Sequence, residues 1–323
     1  MINKTKYDYK VTSYQELINL CSQIRNRYKK KKFTILIDDD KEEIGNYKFP
    51  FSNFHIINKN HILSSNLYAK MKDENGDELT TWKTAALKIT GSNNIFENLI
   101  VKNIAGDSEI KGQEVALAVY GSNNLFNRVY LESMQDTLFV GPLPDDLSTR
   151  YIDFLDEDER YYEGNSINYF NNSEIKGSID FIFGAGKAIF NKCNLVTVKD
   201  KRRESYVVAP SHSLKDDFGY FFNECHFKHD KNVDENSTFL ARPWRDYGKA
   251  VFNNCIYSKH INPLLFHDWS DVNRIRTCRF LSFPYKKGSV SWMKNKEKDA
   301  LPAYYLTELR KLINFININI NVI

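Results

Sequence analysis

The chain contains no uninterrupted apolar run of the ~18 residues or more that a bilayer-spanning helix requires, which leaves no candidate transmembrane segment. Residues 1–10 are polar, without an apolar stretch or a small-residue cleavage site, so no secretory leader is read there. The location expected on this ground is cytoplasmic, or secreted if residues have been lost ahead of Met1. Cysteine is sparse: five in 323 residues, with no Cys-x-x-Cys pair, fit a reducing compartment better than a disulfide framework. Charge of one sign is also missing. The 45 basic and 41 acidic residues leave a net charge of +4, which calls for neither nucleic acid nor a membrane as partner. The densest basic run, 25–32, is read as a solvated helix end, where cations suit the helix dipole. There is no Gly-x-Ser-x-Gly elbow and none of the seven histidines sits in a recognisable triad motif, which excludes the usual serine-esterase arrangement.

What is present is apolar residue enough for a sizeable core, 42%, arranged as a repeat. Gly91-Ser92-Asn93-Asn94-Ile95-Phe96 is nearly restated as Gly121-Ser122-Asn123-Asn124-Leu125-Phe126. After each Phe, apolar residues recur three and five positions on, at Leu99 and Val101, then Val129 and Leu131. The cadence returns with cysteine in the middle slot at Phe190/Cys193/Leu195, Phe222/Cys225/Phe227, Phe252/Cys255/Tyr257 and Ile275/Cys278/Phe280, with a weaker copy at Phe170/Ser173/Ile175. Short apolar strands at a period near 30 residues, separated by Asn, Gly and Ser turns and lacking helical periodicity, predict the coils of a parallel β-helix. The asparagines then serve turns and stack between coils, and the four repeat cysteines point inward as small buried side chains.

The expected organisation is one all-β domain over 1–323, with an N-terminal cap (1–32), the β-helix (33–292) and a C-terminal helix and tail (293–323). In the cap, Ser13-Tyr14-Gln15-Glu16 resembles a capping box ahead of Tyr14, Leu17, Ile18, Cys21 and Ile24 at helical spacing, and 33–37 is a fully apolar strand. Near the other end, 288–292 is read as a closing strand, 304–313 as a short helix, and 315–323, with its alternating Ile and Asn, as an edge strand. One interval is too long for a coil: 142–162 is an acidic insertion, expected to be a surface loop beside the site with its charges solvated.

The stretch Gly177-Ser178-Ile179-Asp180-Phe181-Ile182-Phe183-Gly184 buries one carboxylate in an apolar run, where it loses solvation unless a partner or a task holds it. Taken alone, it reads as a strand-end aspartate satisfied by backbone amides. Gln113-Glu114-Val115-Ala116-Leu117, Gln135-Asp136-Thr137-Leu138 and Leu240-Ala241-Arg242-Pro243-Trp244 alter that reading. With the Asp180 stretch, and in this order, they resemble the pectin methylesterases, carbohydrate esterases that demethylate homogalacturonan, over roughly 33–292.

The resemblance implies a right-handed parallel β-helix and a two-carboxylate mechanism. Asp180 is the nucleophile on the C6 carbonyl, and Asp136 is the acid for departing methoxide and then the base for water. Arg242 pairs with Asp180, leaving Asp136 the more easily protonated. Gln113 and Gln135 supply uncharged donors to the oxyanion. Trp244, Phe183 and Phe139 offer apolar faces to sugar rings. It implies no cofactor and no metal, and a monomer acting on methylesterified homogalacturonan or oligogalacturonides.

Three positions depart from the family's pattern. Phe139 stands where tyrosine is frequent, Ala241 stands where glycine is usual, and Gly45-Asn46-Tyr47-Lys48-Phe49 lacks the Glu that ends the corresponding motif. The rivals are a non-catalytic carbohydrate-binding β-helix and an esterase for another acyl ester. A pectate lyase would need a calcium-binding carboxylate cluster beside an arginine base, and a polygalacturonase a Gly-His-Gly; the sequence offers neither.

Overall fold

In a computed structural model the described residues are 7–28, 31–160 and 167–320. Residues 29 and 30 of the basic run, 161 and 162 of the insertion and the last three of the tail lie outside them. Among the described residues the chain winds through three parallel sheets of ten, seven and eight strands, most coils giving one strand to each.

The repeat read from the sequence is what stacks. Phe96, Phe126, Phe170, Phe190, Phe222 and Phe252 occupy one register position of the ten-stranded sheet. Their rings follow one another at 5.2, 4.6, 4.9, 4.6 and 4.9 Å, within 13° of parallel. One residue on, Asn127, Asn171, Asn191, Asn223 and Asn253 form an amide ladder, each Nδ2 donating to the preceding Oδ1 at 2.8–2.9 Å. The spacing of hydrogen-bonded strands, about 4.8 Å, suits both ring stacking and an amide chain, so identical residues in successive coils satisfy one another.

The cysteine ladder is shorter than expected. Cys193 and Cys225 are fully buried and Cys255 partly, each thiol donating to a carbonyl of the preceding coil, Phe170, Phe190 and Phe222 respectively. Cys278 does not join them. Phe252 pairs with Ser282, so the last coil places Ser282 in the Phe slot, and Ile275 lies in a helix, Val272–Thr277. Cys278 is buried ahead of the final strand, Arg279–Phe283.

The ends also differ from expectation. The first strand is Tyr9–Val11, inside the presumed cap, and it pairs with Phe33–Ile37. The Tyr14–Arg27 helix follows, with the Ser13 hydroxyl accepting from Glu16 N–H at 3.1 Å. It buries Tyr14, Leu17, Cys21 and Ile24 over the open end of the stack, while Ile18 is only partly buried. Arg25 is not solvated: its guanidinium lies 4.1 Å from the Phe54 ring and donates to the carbonyls of Tyr28, Lys31, Ser52 and Asn53.

Residues 288–292 form turns, not a strand. The tail is helical from Ala303 to Asn319. Alternation of Ile and Asn did not decide its conformation, because Tyr305, Leu309, Leu312 and Ile316 recur at three- and four-residue spacing and pack on the outer face of the ten-stranded sheet against Ile95, Ile189, Phe221 and Val251. No helix among the described residues is long and apolar enough to cross a membrane.

Candidate active site

The site stands on the outer face of the seven-stranded sheet. Leu117, Val119, Leu138, Val140 and Ile182 point into the coil, so their neighbours point outward. In register across the sheet these outward residues form a row along the coil axis: Lys48, Lys88, Ala118, Phe139, Phe183 and Ala209. The last two of the row, Phe183 and Ala209, floor a cavity of about 300 Å³, lined also by Thr80, Trp82, Gln113, Gln135, Asp136, Tyr151, Asp180, Arg242, Trp244 and Trp269.

Both aspartates sit where the regular strand is broken. Asp136 (φ 65°) and Asp180 (φ 48°) adopt left-handed backbone, a region uncommon for side chains with a Cβ and most tolerated by Asn and Asp. At Asp180 the pairing register slips between Ile179 and Ile182, which turns this one carboxylate out of the strand towards the cavity. Gly177 permits the turn: a Cβ there would lie 2.2 Å from that of Phe181 and 2.6 Å from Thr137 Oγ1. A bridge between Gln135 and Ile179, with Asp136 N–H donating to Ile179 C=O at 3.0 Å, places the two aspartates on adjacent coils.

Arg242 follows the Thr238–Ala241 strand and closes on Asp180 with two donors, Nε to Oδ1 at 2.8 Å and Nη2 to Oδ2 at 2.7 Å. Its guanidinium is held flat between the rings of Tyr206 and Trp269, with centroids 3.7 and 3.9 Å away. Asp136 has no such partner. Burial, and next the charge of Asp180, push its pKa well above the ordinary carboxyl range, while Arg242, Arg202 and the Gln135 amide pull less strongly the other way. Of two neighbouring carboxyls, one therefore carries a fixed countercharge and the other holds its proton to higher pH than an ordinary carboxyl.

Gln113 and Gln135 are joined through the backbone of the residue between them in space, Glu114, whose N–H donates to Gln135 C=O at 3.1 Å. Both line the cavity. The Gln135 side-chain oxygen accepts from Arg202 Nη1 at 3.0 Å, which turns its NH₂ towards Asp136. Arg202 is itself clamped: Nε and Nη2 donate to Asp200 Oδ1 and Oδ2 at 2.7 and 2.9 Å, and Nη2 also reaches Ser108 Oγ at 2.5 Å. Behind them Glu114 is fully buried, its Oε2 accepting from Gly106 N–H at 2.6 Å; burial pushes its carboxyl up to about 7.

The aromatic residues divide. Trp244 lines the cavity beside Phe183, ring to ring 6.0 Å, and Phe183 lines it from the floor. Phe139 does not reach it. Only 1% exposed, it packs under Trp82, Tyr120 and Phe183 and supports the floor without offering a face. Trp82, Tyr151, Tyr206, Trp269 and Arg202 belong to the site but lie outside every motif quoted above. Tyr206 lies in the Ser205–Pro210 strand and the others come from segments between strands, and no periodicity marked them.

The acidic insertion is not a plain loop, and although Asp145, Asp146, Asp153, Asp156, Glu157 and Asp158 are exposed as expected, one of its acids is not. It forms three short turns, Asp145–Arg150, Ile152–Phe154 and Glu157–Arg160, and buries Leu143, Leu147 and Leu155 against the outer-face aromatics. Tyr151 reaches the cavity and packs on Trp82 at 5.1 Å. Glu159 is fully buried, both oxygens within 3.1 Å of Lys88 Nζ.

Solved structures share the fold at low sequence identity. The pectin methylesterase from carrot superposes with a TM-score of 0.66 at 20% identity, covering 83% of this chain and 79% of its own. Pectin methylesterase PemA from Erwinia chrysanthemi gives 0.68 at 20% identity, covering 94% and 96%. The common architecture is the right-handed parallel β-helix. Among curated relatives, pectinesterase QRT1 of Arabidopsis thaliana is 27% identical over 240 residues, 71% of this chain and 55% of the relative. Pectinesterase 2 of Citrus sinensis is 24% identical over 213 residues, 64% and 37% respectively. The chain thus spans about half or less of the length of these relatives. The Pectinesterase sequence profile matches residues 59–143 and 150–298, and with most of its length accounted for the chain belongs to the pectinesterase family.

Proposed function

We propose that the chain hydrolyses methyl esters of galacturonate units and releases methanol. The observation that carries this reading is the unequal pair: Asp180 held by two Arg242 donors, beside a buried Asp136 whose pKa is raised. In this reading an Asp180 oxygen attacks the C6 carbonyl, and the oxyanion that forms is met by the Gln113 and Gln135 amides. Collapse of the tetrahedral species breaks the C6–OCH₃ bond as Asp136 gives its proton to the methoxide, leaving a mixed anhydride between C6 and Asp180. Asp136, now ionised, takes a proton from water as the water oxygen attacks C6, and Asp180 departs as a carboxylate. The cycle returns both carboxyls to their starting states.

The family match and a related pectin methylesterase solved with a hexasaccharide support a pectic substrate. Activity needs Asp136 protonated at the outset, so it should decline as pH rises through the raised pKa of this group. The test is methanol release from methylated oligogalacturonides by wild type, Asp180→Asn and Asp136→Asn. Loss in both variants with folding intact is expected. Substantial turnover in Asp180→Asn would refute the nucleophile. Binding of sugar with no methanol released by wild type would favour a carbohydrate-binding β-helix.

A further inference from the structure

The outward row begins with two cations. Lys48 and Lys88 are its first members, two and one strands before Ala118, and an ammonium pair in line with Phe183 and Ala209 of the cavity is what would hold carboxylates of a uronate chain that ran on past it. In this protein they are already taken. Glu159 Oε1 and Oε2 lie 2.9 and 3.1 Å from Lys88 Nζ, and Lys48 Nζ meets Asp156 at 2.8 Å and Asp158 at 2.5 Å. Asp158 also accepts from the Thr90 hydroxyl at 2.7 Å. The acidic end of the insertion therefore sits on the lysines as substrate carboxylates would.

We propose that the insertion, 142–160, is a fixed wall that closes the groove at the end formed by the early coils, so that the site accepts the ends of short uronate chains and not the interior of a long polymer. This rests on the pectic reading above. Three features make the wall fixed. Glu159 is fully buried and ion-paired, and removing it from Lys88 would strand a charge in a dry place. Leu143, Leu147 and Leu155 are buried beneath it. Its start is tied to the opposite rim by an ion pair between Asp146 and Arg245, one residue past Trp244. From the Asp180 strand to the Lys88 strand there are three steps, about 14 Å at a strand spacing of ~4.8 Å, and Tyr151 on Trp82 already narrows that interval. A polyuronate running on over Lys88 would have to displace Glu159 and lie against the charges of Asp156 and Asp158.

A closed groove offers one register per chain end, whereas an open groove offers a long chain many. Two measurements separate them. First, calorimetric titration of wild type with unmethylated trimer, hexamer and dodecamer of galacturonate should show affinity rising from trimer to hexamer and then level within about twofold. Second, kcat/KM per ester bond should be about tenfold or more lower on high-molecular-mass methylated pectin than on methylated hexamer. Replacing 145–158 by a short Gly-Ser linker should raise the polymer-to-hexamer ratio by about tenfold. Should that variant fail to fold, Asp156→Asn with Asp158→Asn, which changes only exposed acids, should raise the ratio severalfold.

Affinity that climbs again from hexamer to dodecamer, polymer turned over as well as hexamer per ester, or a folded linker variant with an unchanged ratio would each overturn the wall. Absence of methanol from every length would sink the esterase reading instead, and the titration with unmethylated chains would still decide the wall.

Discussion

The ten-stranded sheet and the seven-stranded sheet are built from the same coils and are used oppositely. On the first, each turn repeats its predecessor, and Phe stacks on Phe and Asn bonds Asn through consecutive coils. On the outer face of the second, hardly any position repeats. Lysine, alanine and phenylalanine share one row, two aspartates take left-handed backbone, and one strand carries a register slip. Identical residues at strand spacing satisfy each other and so contribute stability. A carboxylate that faces a cavity must be held by partners that differ from one coil to the next, as Asp180 is by Arg242, and that requires the repeat to be broken.

The comparison fails if damage to the irregular face unfolds the protein, or if damage to the ladder leaves stability unchanged. The largest effect is expected at Asp180→Asn, with methanol release falling about 10⁴-fold, a size typical of losing one member of a catalytic group. Its urea or thermal midpoint should stay close to that of wild type, since Asn keeps the volume and one acceptor for Arg242. Next comes Phe190→Ala in the ladder. Truncating a fully buried ring stacked on both sides should cost about 3–5 kcal/mol in chemical denaturation, with kcat of the folded fraction unchanged.

A subtler variant acts between the two regions. Arg202→Met frees the Gln135 amide to rotate, and should lower kcat about ten- to a hundredfold with KM little changed, as expected for a donor that matters mainly in the transition state. Because the Arg202 charge lowers the Asp136 pKa, its removal should also move the alkaline limb of the pH profile to higher pH. A uniform loss of folded protein would leave that limb in place.

The narrowest expected change, confined to alkaline pH, is at Glu114. Its folded pKa, about 7, exceeds the ordinary value of 4.5, so the native state binds the proton more tightly than the unfolded chain. The resulting stabilisation is full below pH 4.5 and is lost as pH rises through 7, by up to ~3 kcal/mol. Glu114→Gln, which retains an acceptor for Gly106 N–H, should therefore gain stability over wild type at pH 8 and show no gain at pH 4. An equal shift at both values would place the effect in packing.

Much of this molecule is legible in its sequence because a β-helix makes local repetition into tertiary contact. The period near 30 residues, the Phe slots, the Asn turns and the motif residues Gln113, Gln135, Asp136, Asp180 and Arg242 all lie within short stretches whose spacing survives folding. Where the reading erred, a non-local partner decided. The Ile and Asn alternation of the tail fits a strand as well as a helix, and the face of Tyr305, Leu309 and Leu312 against Ile189 and Phe221 chose the helix. Cys278 copied the cadence, but pairing of Phe252 with Ser282 set the last coil in another register. Most acids of the insertion are exposed as read, but Glu159 is buried on Lys88, and Asp156 and Asp158 pair with Lys48, partners some 70 to 110 residues away in sequence.

What the sequence determined by itself is what a coil does to its neighbours at fixed spacing: the stack, its ladders and the order of the candidate site residues along it. What only the tertiary structure decided is how loops of unrelated length meet above one sheet face. Trp269 on Arg242, Arg202 behind Gln135, and Tyr151 on Trp82 are such meetings. The physical reason is that loops obey no period, so their contacts are fixed by burial and charge pairing in three dimensions and leave no pattern along the chain.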